Sequence, residues 1–252
     1  MKIDKIYYIN LDKDLERREL VARRIERHFP GIPCQRIRGI PASEIGRHDA
    51  FFKGRLAKRL RAVDDVYPLP GLIGCTLAHR AAMQAVCAEF GERDGRCLVL
   101  EDDCVFDGTV PAYLEGLSEN SIPADWKALL HTRGRRDRSD RANAHFYHMH
   151  RARKRGWNWY WGTHFVIYRT NRIHEILTLM DRLEIYAIDK WLRDNVEGLY
   201  SFTRRLHIKQ SNLGGSATNP DFASDAFEDR SESFGLSSYF NKLKAYWNQV
   251  TR

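Results

Sequence analysis

Three consecutive carboxylates, Glu101-Asp102-Asp103, follow directly on the apolar run Cys97-Leu98-Val99-Leu100. A continuous apolar run of that length suits a buried central strand, and the carboxyl end of such a strand is where open α/β sheets bind ligands. Carboxylates placed there are costly without compensation. A hard divalent cation such as Mg²⁺ or Mn²⁺, which takes oxygen ligands and bridges carboxylates to substrate phosphates, is the natural compensator. The competing reading is a solvated acidic turn. A second cluster, Trp157, Trp159, Tyr160 and Trp161, lies just before Gly162-Thr163. Aromatic rings pack on the apolar C–H faces of sugars, so this cluster suits a sugar-binding platform, with Trp157, Trp159 and Trp161 on one side of an extended segment and Tyr160 on the other. Packing in the core is the alternative use of these rings.

The elements that must position these groups are legible from periodicity. Residues 6–11 read as a strand and residues 12–29 as a helix, with Val21, Ile25 and Phe29 four apart and Asp12 or Asp14 as cap. Pro30-Gly31-Ile32-Pro33 ends that helix, and residues 34–40 read as a second strand. Residues 41–74 are too irregular to assign. A helix is expected over residues 77–90, with Thr76 as N-cap and Gly91 as stop. Short strands are expected at 97–100, 128–130, 165–168 and 206–210, and helices at 171–183 and 187–195. This alternation predicts an α/β layered sheet.

At 252 residues and 43% hydrophobic, the chain has enough apolar material for one substantial core, placed in residues 1–236, with a terminal amphipathic helix in 237–252. The N-terminal segment lacks the apolar stretch of a secretory signal and no run is long enough to span a bilayer, which leads to the expectation of a cytoplasmic protein. The five cysteines are scattered with no Cys-x-x-Cys pair, so they are expected to be reduced and mostly buried. The formal net charge of +8 points to an anionic partner. Nearly all of it comes from residues 131–156, where nine Lys or Arg face two Asp. Such a segment suits a phosphorylated glycolipid or an anionic membrane surface, and the terminal helix, with Tyr239, Phe240, Leu243, Tyr246 and Trp247 beside Lys242 and Lys244, suits the same interface.

Five segments occur in a telling order: Ile6-Tyr7-Tyr8-Ile9-Asn10-Leu11 followed by Glu16-Arg17-Arg18, Gly74-Cys75-Thr76-Leu77-Ala78-His79-Arg80, Leu98-Val99-Leu100-Glu101-Asp102-Asp103, Gly162-Thr163-His164-Phe165-Val166-Ile167-Tyr168-Arg169, and Ile188-Asp189-Lys190-Trp191-Leu192. Together they resemble glycosyltransferase family 25, which contains bacterial lipooligosaccharide galactosyltransferases and the collagen galactosyltransferases. The resemblance implies a single Rossmann-like, GT-A-like nucleotide-sugar transferase domain, with a central, mostly parallel sheet flanked by helices. It also implies one metal site and sugar transfer with inversion.

On that resemblance, Asp103 is the most direct metal ligand, Asp102 a second ligand or ribose contact, and Glu101 a support within the strand. Asn10, at a strand's carboxyl end, is placed to hydrogen-bond a base or ribose, and Arg17 and Arg18 to grip the donor phosphates bidentately. With Thr76 as N-cap, His79 falls in a first helical turn, where free backbone N–H groups favour phosphate; a structural histidine is the other reading, and the family's Ser-His is Ala78-His79 here. An inverting transfer needs a base for the acceptor hydroxyl, for which Asp189 is the candidate, with N-capping as its competing role and Glu184 and Asp181 as neighbours. Trp159 and Trp161 are the acceptor contacts. His207 is the candidate third metal ligand, with Gln210-Ser211-Asn212 as the second place to look.

The expected activity is metal-dependent inverting transfer of galactose or a relative from a UDP-sugar to a lipooligosaccharide or other surface glycan, with Mn²⁺ or Mg²⁺ as cofactor, on or near the membrane's inner face. A nucleic-acid-binding protein is the chief competitor, but zinc-finger spacing, RNP-type strand motifs and a helix-turn-helix are all missing, and the acidic triplet would repel phosphate. A metal-dependent phosphohydrolase and an inactive transferase-like interaction protein are the remaining alternatives.

Overall fold

The computed structural model describes residues 1–41, 43–45, 69–131, 140–149, 162–203 and 206–211. The chain runs β1 (Lys5–Asn10), α1 (Leu15–His28), β2 (Cys34–Arg38), α2 (Leu69–Phe90), β3 (Arg96–Glu101), β4 (Cys104–Phe106), α3 (Thr109–Glu115), β5 (Ala128–Leu130), β6 (Phe146–His148), β7 (Phe165–Arg169), α4 (Ile173–Arg182), α5 (Ile188–Asn195), β8 (Leu199–Phe202) and β9 (Ile208–Gln210). Seven strands form one sheet in the order β2-β1-β3-β7-β5-β8-β6, and β4 pairs with β9 in a separate two-stranded ladder. In the large sheet β1–β2, β1–β3 and β5–β8 are parallel, while β3–β7, β5–β7 and β6–β8 are antiparallel. The parallel block β2-β1-β3 carries the Rossmann-like character, and the expected α/β architecture is realised as a mixed sheet.

Strand alternation divides the core into two layers. On one face Tyr7, Ile9, Cys97, Val99, Val166 and Tyr168 pack with Ala82, Met83 and Val86 of α2, Ile176 of α4 and Trp191 of α5. On the other face Ile6, Tyr8, Leu98, Leu100, Phe165 and Ile167 pack with Val21 and Ile25 of α1, Val110 and Leu114 of α3, and Phe106 of β4. Cys97, Leu98, Val99 and Leu100 are all fully buried, which is why β3 reads as an unbroken apolar run.

The helix expected to begin after Thr76 is longer at its start: α2 covers Leu69–Phe90, and Thr76 lies inside it. The Thr76 hydroxyl donates to the Leu72 carbonyl one turn back and lies the same 3.0 Å from the Tyr186 carbonyl, so it serves packing rather than a helix end. Gly74 is also helical. A Cβ there would stand 2.3 Å from the Ile40 carbonyl oxygen, so this glycine marks close approach of α2 to the chain beyond β2 and not a break. In α1, Asp14 occupies the N-cap position without a side-chain capping bond. Asp12 instead accepts from Arg36 and from Arg38 Nε, the latter at 2.6 Å. Strands β4, β6 and β8 and helix α3 are additional to the sequence-based expectations. The 237–252 helix, the aromatic cluster and most of the basic segment lie outside the described residues.

Leu98→Ala should test the dry centre of the sheet. Removing a fully buried leucine from a two-sided strand should cost about 2–5 kcal/mol, read as a lowered urea midpoint with unchanged slope; a loss under about 1 kcal/mol would contradict this packing.

Candidate functional site

The parallel register pairs Ile9 of β1 with Glu101 of β3, so Asn10 and the acidic triplet emerge side by side from the carboxyl ends of neighbouring strands. Asn10 is almost fully buried. Its amide donates to Asp102 Oδ2 at 2.8 Å and to the Asp14 carbonyl at 3.0 Å, while its Oδ1 accepts from Arg36 Nε at 3.1 Å. These bonds use both amide hydrogens. Asn10 therefore positions Asp102. Arg17 Nη1 stands 3.5 Å from Asp102 Oδ1, with both side chains largely buried. Arg18 is exposed on the next position of α1. Burial pushes Asp102 above the ordinary aspartate value, against the opposing pull of the Asn10 bond and the Arg17 charge.

Asp103 is buried, and Gln210 donates to its Oδ2 at 2.7 Å. The β4–β9 ladder brings Gln210 there by pairing it with Cys104. The other oxygen, Asp103 Oδ1, is buried with no hydrogen-bond partner among the described residues. Burial, followed by the charge of Glu101, raises Asp103 to about 7. A buried carboxylate oxygen left without a partner beside further carboxylates fits a hard cation.

Glu101 faces the α2 side. Its Oε1 accepts from the Thr163 hydroxyl at 2.8 Å and from His79 Nε2 at 3.1 Å. Burial opposes its ionisation, but the hydrogen bond and charge of His79, the charge of His164 and the Thr163 hydroxyl together hold it below the ordinary glutamate value. His79 is thus deep in the middle of α2 against Glu101, and not in a first turn facing phosphate. That correction follows directly from the earlier start of α2.

Asp189 lies in the first turn of α5, where Ala187 is the N-cap residue and makes no side-chain cap bond. Asp189 Oδ1 accepts from the Lys190 N–H at 2.7 Å and Oδ2 from the Gly162 N–H at 3.3 Å. Burial nevertheless raises it above the ordinary aspartate value, the direction a general base needs. The charges of Glu101, Asp103 and Asp189 all act on the partly buried Cys75 thiol, so the three carboxylates converge on one centre. Gly162, at φ +106°, enters the same centre, and a Cβ on it would meet the His164 ring at 2.6 Å.

Two other candidates stand elsewhere. His207 Nδ1 hydrogen-bonds Asp107 Oδ2 at 2.8 Å, at the end of β9 opposite Gln210. Three residues of extended chain separate the two by about 10 Å, so His207 does not join Asp102 and Asp103, and Gln210 reaches Asp103 instead. Asp181 is exposed and paired with Arg80 at 2.9 Å, and Glu184 is exposed as well, which leaves Asp189 as the carboxylate of that region that faces the site. Trp159 and Trp161 lie outside the described residues. Thr163, Cys75 and Arg36 were missing from the expected site. The Cys75/His79 spacing of four was a usable signal only once both were known to share a helix; Arg36 on an edge strand offered none.

A Rossmann-like α/β domain with carboxylates, an arginine and a partnerless buried oxygen at the carboxyl ends of its parallel strands has the architecture of a sugar-nucleotide-dependent transferase. The sequence matches the model of glycosyltransferase family 25 (LPS biosynthesis protein) over residues 3–158, and the chain belongs to that family. Comparison with curated proteins gave no match. Membership makes the protein a glycosyltransferase, a class that joins a nucleotide-sugar donor to a glycan acceptor. No helix among the described residues is long and apolar enough to cross a membrane.

Asp103 gives a direct electrostatic test in metal-free protein. With a folded pKa above the unfolded one, the folded state binds the extra proton between about pH 4 and about 7, so its contribution is present at low pH and is lost as pH rises through the folded value. Asp103→Asn should therefore melt higher than wild type at pH 8, by on the order of a few °C, with the gap closing towards pH 4. Equal melting temperatures at pH 8 would contradict the buried, uncompensated carboxylate.

Proposed function

We propose that the protein transfers a sugar, galactose or a relative, from a UDP-sugar to a lipooligosaccharide or other surface glycan, with inversion and with Mn²⁺ or Mg²⁺ bound. The observation that carries the metal-dependent reading is Asp103, whose buried Oδ1 has no partner among the described residues. Asp103 and Asp102 would hold the ion. When bound, the ion neutralises charge developing on the departing diphosphate.

The chain's own residues do the rest. Asn10 and Arg17 fix Asp102, and Gln210 fixes Asp103, so the carboxylates are oriented before substrate arrives. Arg17 neutralises Asp102 in the free protein, and Arg18 beside it supplies an exposed cation at the donor side. Asp189 accepts the proton of the acceptor hydroxyl as that oxygen bonds to the anomeric carbon and the bond to the diphosphate breaks on the opposite face. The backbone N–H groups of Gly162 and Lys190 hold its carboxylate in place. Trp159 and Trp161 are proposed to receive the acceptor, and the basic segment at 131–156 to meet its phosphates or an anionic membrane face from the cytoplasmic side.

Thermal-shift measurements with UDP-, GDP- and CMP-sugars, with and without Mn²⁺, should show stabilisation by a UDP-sugar that depends on the ion; failure of every nucleotide to shift melting would remove the donor assignment. Asp103→Ala should abolish the metal-dependent part of the shift. Asp189→Asn should keep donor binding and lower kcat by at least about 100-fold. In wild type, kcat/KM should fall on the acid side at a pH above that of an ordinary aspartate, because the base must be ionised. Retained turnover in Asp189→Asn would exclude it as the base.

A further inference from the structure

Beneath the carboxylates proposed to hold a hard cation lies a second set of donors of different chemistry. Cys75 and His79 are four residues apart on α2 and project from one face of it, and Glu101 arrives from the end of β3. The Cys75 sulfur, a His79 ring nitrogen and a Glu101 oxygen all lie within 4.8 Å of one another. His79 is fully buried, and Cys75 and Glu101 are intermediate in exposure. Thr163 donates to Glu101 and so orients it from outside the cluster, as outer-shell partners of metal ligands do.

Three further observations mark this cluster as more than core packing. Tyr168 is fully buried, and its hydroxyl has no hydrogen-bond partner among the described residues. Asp103 Oδ1 is in the same condition, and its carboxylate acts on Cys75. His79 Nδ1 is buried without a partner as well. Several polar atoms around one thiol thus lack partners, in a protein interior where such atoms are few.

We infer that Cys75, His79 and Glu101 form a binding site for a thiophilic divalent cation of the zinc class, separate in its ligands from the oxygen-only pair Asp102 and Asp103. Sulfur, imidazole and carboxylate together are a borderline-soft set that suits Zn²⁺ or Co²⁺, whereas Mg²⁺ and Mn²⁺ favour oxygen alone. Zinc bond lengths imply ligand atoms roughly 3.3–3.8 Å apart in a tetrahedron, so rotation of flexible side chains by about 1 Å closes the observed spacing. On binding, the protons on the Cys75 thiol and on His79 Nε2 leave to solvent and the imidazole keeps its hydrogen on Nδ1, so that sulfur and Nε2 each offer a lone pair. The fourth position falls to water. This inference does not depend on the identity of the donor sugar or on Asp189 as base.

The test is anaerobic titration of the reduced, full-length, metal-free protein with Co²⁺, followed through the near-ultraviolet thiolate-to-cobalt charge-transfer band. One equivalent should develop the band in wild type and in Cys34→Ser, the exposed-thiol control; Cys75→Ser should lose it; Thr163→Ala should weaken binding about 10- to 100-fold. Wild-type protein without the band, or a band surviving in Cys75→Ser, overturns the site. Cobalt binding that is lost in Asp103→Asn and unchanged in Cys75→Ser also overturns it, by placing the ion on the oxygen pair alone. Should Cys75→Ser fail to fold, mass spectrometry of alkylated wild-type protein decides: Zn²⁺ must protect Cys75 and leave Cys34 reactive, and equal labelling of Cys75 with and without Zn²⁺ refutes the inference.

Discussion

The rest of the structure answers to one constraint: β3 is dry from Cys97 to Leu100 and leads straight into three carboxylates. An isolated charge is too costly at such a place, so each acid must be met by something. Glu101 is met from α2 and from the start of β7, by His79 and Thr163. Asp102 is met from β1 and α1, by Asn10 and Arg17. Asp103 is met from β9, by Gln210, and among the described residues on one oxygen only. The balance of burial against partners lowers the first acid, raises the second and raises the third to about 7. The carboxyl group raised furthest is accordingly Asp103, while Glu101 stays ionised.

That gradient gives adjacent acids different properties without changing their chemistry. Glu101 is a fixed anion that orders the groups around it. Asp103 gains most from an incoming positive charge. Asp189 reaches the same centre from α5, and burial works on it in the same direction as on Asp103. The carboxylates of this site therefore gather where β1 and β3 end, and the antiparallel strand β7 closes the core between β3 and β5 while the residues just before it, Thr163 and His164, arrive at the mouth.

Much of this was legible in the sequence where one local pattern dominated. The apolar run before Glu101 announced a two-sided central strand, and residues 128–130 read correctly as a strand despite their shortness because they are uniformly apolar. The ladder partners β4 and β6 and the strand β8 were not, because strands of three or four residues carry too little periodicity to stand out. The start of α2 was misplaced for a specific reason. Gly74 and Thr76 are turn and cap residues by preference, yet here the glycine permits close approach to Ile40 and the threonine bonds a carbonyl one turn back. That misplacement carried His79 with it. The acidic triplet stands out in the sequence as carboxylates at a strand end, but its partners Arg36, Thr163 and Cys75 come from separate elements and meet only through the fold.

Asn10 shows what this interdependence means for alteration of the protein. One small amide ties the end of β1 to the entry of α1, to an arginine of β2 and to the acid that follows β3. Aspartate at that position would put a like charge against Asp102, leucine would strand two acceptors and a guanidinium, and glutamine would overshoot by a methylene. The acidic element is consequently not a portable loop that can be grafted onto another sheet: transplanting it means carrying four segments of backbone along with it.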